Sequence, residues 1–206
     1  MTTSERFPIP VPADWVPGPR QGQWTYNDYA ALTAEGQHYE IVNGVLYMTP
    51  SPSWTHQEII GRLFRYLSTY MESANLGGAF VAPIDVELSP SMVFQPDVVV
   101  LLKQSRDKLK ERHIVGAPDM IVEVVSPGSA TTDRFDKYQA YAQAGIPEYW
   151  IVEPGTRTVE VLTLPEAGKE ERYRSLGVFQ GKAKLPSLVL PGFDVPVEEF
   201  FVSAWT

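Results

Sequence analysis

Two stretches of this chain are apolar without interruption, yet each carries one carboxylate. Asp97 opens the run Val98-Val99-Val100-Leu101-Leu102, and Glu123 sits in the middle of Met120-Ile121-Val122-Glu123-Val124-Val125. Short runs of Val, Ile and Leu without polar alternation form strands covered on both faces, which requires a layered sheet with helices against it. Pro96 has no N–H for a ladder, so it must stand at the strand's start. Burying an ionised carboxylate without a partner costs roughly several kcal/mol. Neither run contains Lys, Arg or His, and the nearby stretch Pro83–Leu88 adds Asp85 and Glu87. The charge is therefore paired from elsewhere or holds a cation. Carboxylates converging at strand ends point to a hard divalent ion, Mg2+ or Mn2+, bound through oxygen. The alternative is that Glu123 faces outward at a sheet edge or pairs with Arg62 or Arg65.

The surrounding patterns supply the other layers. Thr25 and Asp28 form a capping box for a short helix closed by Gly36. Tyr39–Val42 and Val45–Met48 flank Asn43-Gly44, a hairpin signal. From Ser53 to Ala74, Ile59, Leu63, Tyr66, Leu67 and Tyr70 recur at helical spacing, with Gly77-Gly78 as the stop. Phe80–Leu88 alternates as one strand ending in the turn Ser89-Pro90-Ser91. Thr132 caps a helix that runs to Ala144 and is stopped by Gly145 and Pro147. Tyr149–Val152 is the next strand, and Thr158–Leu164 pairs back onto it. Weaker strands and a short helix near Val197 fill the tail. The core order is thus αβββαβ, preceded by a β-hairpin and followed by extra strands. This predicts an α/β (α+β) mixed sheet flanked by helices. With 206 residues, 44% of them hydrophobic, the chain suits one domain over residues 23–206 behind a loosely ordered arm, 1–22.

Several function classes are excluded or narrowed. The chain has no cysteine, so thiolate metal sites and disulfides are out. No apolar run reaches about 18 residues, and residues 1–20 lack an apolar targeting core, so a cytoplasmic protein is expected. The net charge of −8 opposes attraction of nucleic acid over the whole surface. A local basic segment remains: Lys103, Arg106, Lys108, Lys110 and Arg112, interspersed with Asp107 and Glu111. It is either a binding face or an ordinary solvated surface. Lys137 lies one to two turns into the helix after the Glu123 strand. It either reaches back over the strand end or pairs with Asp133 on the surface. His56 shares a face with Ile59, Ile60 and Leu63, as a helix-entry hydrogen bonder or a ligand.

Gln95-Pro96-Asp97, followed after a hydrophobic strand by Glu123-Val124-Val125-Ser126, resembles the signature of the PD-(D/E)XK nuclease superfamily. From about Thr25 to Leu164 the chain is similar to its restriction-endonuclease-like branch of unknown function. The stretches that carry this include Tyr39–Gly44, His56 with Gly61-Arg62-Leu63, Ala117-Pro118-Asp119 and Gly145–Trp150. The resemblance implies a restriction-endonuclease-like fold and a Mg2+-dependent endonuclease acting on phosphodiester bonds in DNA. Asp97, Glu123 and the Val124 carbonyl would hold the metal, with Glu40 and His56 in support. The superfamily places a lysine two residues after the glutamate, where this chain has Val125. In the branch it resembles, that role has moved to the following helix, at a position matched by Lys137. If the migration does not hold, a catalytically inactive module binding nucleic acid or a protein partner is implied instead. Two-fold cleavage of duplex DNA would favour a homodimer.

Overall fold

Residues 10–32, 38–49, 51–126, 133–165, 172–203 and 205 are described in the computed structural model of the chain. Strand β1 (Val11–Pro12) and helix α1 (Tyr26–Ala30) precede the hairpin of β2 (His38–Val42) and β3 (Val45–Thr49). The Thr25 side chain and Asp28 close the expected capping box on α1; Gly36 lies outside the described residues. Asn43 (φ 51°) and Gly44 (φ 73°) both take the left-handed backbone that a two-residue hairpin turn demands.

Helix α2 (Trp54–Ser73) is capped by Ser53 and buries Ile59, Ile60, Leu63, Leu67 and Met71. It ends at Ala74, ahead of the glycine pair, because Asn75 takes the left-handed turn at φ 56°. Gly77-Gly78 instead open β4 (Gly77–Val81), where a Cβ on Gly77 would fall 2.0 Å from the Leu101 carbonyl oxygen. Close approach of two strand backbones, not helix termination, requires that glycine.

The stretch Phe80–Leu88 is not one strand. β4 ends at Val81, and β5 (Asp85–Ser89) begins in a different sheet. Pro83, which cannot donate to a ladder, lies at the break. Then follow β6 (Met92–Phe94), β7 (Val98–Leu102), β8 (His113–Val115) and β9 (Met120–Val124). Helix α3 (Tyr138–Ala144) is entered through a π-helical turn, Asp133–Lys137, and closed by Gly145 at φ 81°; Thr132 lies outside the described residues. β10 (Glu148–Glu153), β11 (Thr158–Thr163), β12 (Arg174–Gln180) and a 3-10 turn, Val197–Phe201, complete the order.

Two six-stranded sheets result, ordered β1-β3-β2-β6-β5-β8 and β12-β11-β10-β9-β7-β4. In the second, β9 and β10 are parallel and the other neighbours antiparallel. With α2 and α3 it contains the αβββαβ order. Met120, Val122 and Val124 of β9 pack with α2, Trp150 and Phe200. Ile121 and Val125 face the other way, onto Tyr141, Tyr149 and Phe94. β9 is therefore buried on both faces, as its composition requires. Phe94 comes from the first sheet, so that sheet meets the α3 side of the second. Among the described residues no helix is long and apolar enough to cross a membrane.

Candidate active site

The antiparallel register of β7 and β9 sets Val98 opposite Val122. Carried one residue further, it brings Asp97 opposite Glu123, and directly opposed residues share one sheet face at roughly 5 Å. Asp97 Oδ2 accepts the Val124 N–H at 2.7 Å. His56, in the first turn of α2, approaches from the helix side. Its Nε2 lies 3.4 Å from the same Asp97 oxygen and 2.7 Å from the Val124 carbonyl oxygen. A ring nitrogen that close to a carbonyl oxygen carries the proton and donates it.

Glu123 is only 3% exposed, and its charge is answered from α3 and from the turn that leads into it. Lys137 Nζ donates to Glu123 Oε1 at 3.0 Å, and the Tyr141 hydroxyl donates to the same oxygen at 2.7 Å. Lys137 Nζ also lies 3.3 Å from Glu40 Oε1, and the Gln95 N–H donates to that oxygen at 3.0 Å. The ammonium is thus clamped between two buried carboxylates, one from each sheet. Burial, then the Glu123 charge beside it, raises the Tyr141 hydroxyl pKa well above the ordinary phenol range. It therefore remains a proton donor.

Glu40, Asp97, Glu123, Val124, Lys137 and His56 all meet at this end of β7 and β9. Lys137 is buried rather than a surface lysine, and it pairs with Glu123; the Asp133 side chain lies outside the described residues. Glu123 does not pair with Arg62 or Arg65: Arg62 faces Glu58 at 4.0 Å, and Arg65 lies over the Tyr66 ring. Asp85 and Glu87 do not join the cluster: beyond the break at Pro83 they lie on β5 and are engaged by other partners. Asp85 takes bonds from Gln95 and Tyr29, and Glu87 faces His113. Tyr141 is not among the residues that the sequence pattern singles out, and Gln95 stands there only as part of the Gln95-Pro96-Asp97 motif, with no role of its own. A signal existed for each: Tyr141 stands four residues after Lys137 on one helix face, and Gln95 directly precedes Pro96-Asp97.

Other buried carboxylates show what a purely structural role looks like here. Asp119 accepts from the Leu102 N–H and the Ser105 hydroxyl. Glu148 accepts from Trp150 Nε1 and the Leu188 and Val189 N–H groups. Both are served by neutral donors. Among the described residues no group of three or more His, Asp or Glu side chains stands where it could hold a metal ion by itself. In the basic segment, Lys108, Lys110 and Arg106 donate to the carbonyls of Ala117, Asp107 and Leu109. Lys103 bonds the Asn75 side chain. These bonds fix the side chains and leave their positive charge unneutralised.

No curated protein matches the chain. A solved structure from Anabaena variabilis ATCC 29413, described as "a putative nuclease belonging to DUF820", is similar to it with a TM-score of 0.68. Identity is 18%, over 86% of this chain and 97% of that one, so the likeness is one of fold. The family model of Uma2, described as "Putative restriction endonuclease", matches residues 26–198. With most of its length matched, and with a nuclease-type fold, the chain belongs to the Uma2 restriction-endonuclease-like family.

Proposed function

We propose that the chain is a Mg2+- or Mn2+-dependent endonuclease that hydrolyses phosphodiester bonds in DNA. Asp97, Glu123 and the Val124 carbonyl are its cation ligands, and Lys137 is its catalytic cation. The observation that carries this reading is the opposition of Asp97 and Glu123 across β7 and β9, with the Lys137 ammonium 3.0 Å from Glu123.

The donor set suits a hard ion. Every donor is oxygen, and Asp97 Oδ1 has no hydrogen-bond partner among the described residues. Mg2+ usually takes one or two carboxylates and leaves its remaining positions to water and phosphate, so a three-carboxylate cage is not needed. A bound divalent ion supplies Lewis acidity toward the phosphate and lowers the pKa of water. Lys137 steadies negative charge developing on the phosphate. Glu40 and Tyr141 hold Lys137 and Glu123 in register, and His56 fixes the strand end between Asp97 and Val124.

Asp97→Ala and Glu123→Ala should each abolish Mg2+-dependent cleavage of DNA. Lys137→Ala should lower turnover by about a hundredfold or more. Wild-type cleavage by the Asp97→Ala/Glu123→Ala double variant would refute the assignment. One observation favours the rival, a catalytically inactive module binding nucleic acid or a protein: Lys137 already balances Glu123 without a cation. Calorimetric titration with Mn2+ separates the two. Uptake lost in Asp97→Ala supports the nuclease, and no uptake by the wild type supports the module.

A further inference from the structure

A cavity of about 210 Å³ opens between α1 and the start of β5. Its walls include Tyr26, Tyr29, Leu32, Tyr39, Asp85 and Arg112. Tyr39 and Glu40 are consecutive on β2, so their side chains leave opposite faces of the first sheet. Glu40 meets Lys137, and Tyr39 lines the cavity. Gln95 joins the two sides. Its backbone N–H donates to Glu40, while its side-chain amide donates to Asp85 Oδ1 at 2.8 Å and to the Tyr29 hydroxyl at 3.0 Å. Gln95 precedes Asp97 by two residues, at most roughly 7 Å of extended chain.

Three features of the cavity are complementary to one class of ligand. First, it has an aromatic wall with a fixed orientation. Tyr26 stacks on His113 at 4.1 Å, His113 is held by Glu87 at 3.1 Å, and Tyr29 meets Tyr26 edge-on. Second, it has an open acceptor. Tyr29 and Gln95 both donate to Asp85 Oδ1, and Oδ2 has no partner among the described residues. Third, it has an open cation. Arg112 is exposed, forms no ion pair among the described residues, and ends the basic segment. The volume is below the roughly 300–1,000 Å³ typical of drug-sized ligands.

We infer that this cavity is a nucleotide subsite, in which an unstacked base bearing an exocyclic amine packs on Tyr26 and Tyr29, donates to Asp85 Oδ2, and has its phosphate met by Arg112. Aromatic faces take any base, whereas a carboxylate acceptor selects a base with an amine. Adenine, cytosine and guanine carry one; thymine does not. Such a base must be single-stranded or turned out of the duplex. The inference rests on the nuclease reading, since it supposes a strand that also reaches Asp97. Gln95 would then couple occupancy of the subsite to the Glu40–Lys137 clamp.

The test is binding of the four deoxynucleoside 5′-monophosphates to the full chain in EDTA, followed by NMR or calorimetry. These probes contain no internucleotide bond, so binding is independent of cleavage. The expected result is that dAMP, dCMP or dGMP binds about fivefold or more tightly than dTMP. Asp85→Asn should narrow that gap, and Arg112→Ala, at an exposed position that leaves the core untouched, should weaken every nucleotide. Equal binding of all four, no binding at millimolar concentration, or unchanged affinity in Arg112→Ala would overturn the subsite. A chain that discriminates among nucleotides but cleaves no DNA would keep the subsite and refute the nuclease. One that cleaves DNA but binds no mononucleotide would do the reverse.

Discussion

At the scale of single residues, the decisive group is Lys137. Its ammonium separates Glu40 from Glu123, both nearly inaccessible to solvent. Removing one member of such a set leaves an uncompensated buried charge. Lys137→Ala should therefore lose about 3–5 kcal/mol in urea unfolding, apart from its proposed effect on turnover. Tyr141→Phe removes one donor to a charged oxygen and should cost about 1.5–3 kcal/mol. Because both side chains bond Glu123 Oε1, their effects should not add in the double variant. Asp85 makes a pH prediction. Burial raises its pKa above the ordinary 3.8, outweighing the bonds from Gln95 and Tyr29. The folded chain therefore holds that proton more tightly than the unfolded chain does. Stability from this group is greatest below pH 3.8 and declines as pH rises from there through the raised folded value. Asp85→Asn cannot titrate, so relative to it the wild type should lose melting temperature across that acid window and nowhere else. A difference that stays constant with pH would refute the attribution.

At the scale of elements, local chemistry places the strands and the tertiary context decides how they are used. The Asn43-Gly44 turn, the α2 stripe, the buried runs of β7 and β9 and the Gly145 stop are all properties of contiguous residues. Each was legible for that reason. The stretch Phe80–Leu88 was not, because alternation is the same whichever sheet a strand joins. Gly44 tests the turn. At φ 73° a Cβ would fall 2.5 Å from the Gly22 carbonyl oxygen. Gly44→Ala should therefore cost more than the roughly 1–2 kcal/mol of left-handed strain alone, and should disturb β2, which carries Glu40. Val125 tests the missing signature lysine. It is 4% exposed and packs among Ile121, Ala140 and Tyr141. Val125→Lys should destabilise the fold, by several kcal/mol in order of magnitude, without raising cleavage. A stable, more active variant would show that the lysine had not moved to Lys137.

At the scale of the whole molecule, charge is distributed unevenly. The chain carries −8 overall, yet Lys103, Arg106, Lys108, Lys110 and Arg112 lie within ten residues, held by carbonyls or open to solvent. If this segment is the only phosphate-contacting face, DNA affinity should depend on salt with a slope no steeper than about −4.5, five cations at about 0.9 each. A steeper slope in a binding titration would require a second basic face.

The Asp97–Glu123 site also draws on this larger scale. What the sequence determined by itself was the presence of two carboxylates in doubly buried strands. Periodicity and the cost of desolvation act on neighbouring residues, so they can be read in order along the chain. Which groups answer those carboxylates was decided only by the tertiary structure. Glu123 is neutralised from 14 residues away by Lys137, and Asp97 binds a backbone N–H 27 residues away. Glu40 arrives from the other sheet. Ion pairing falls off with distance in space and not along the chain, so no local pattern could have specified that clamp.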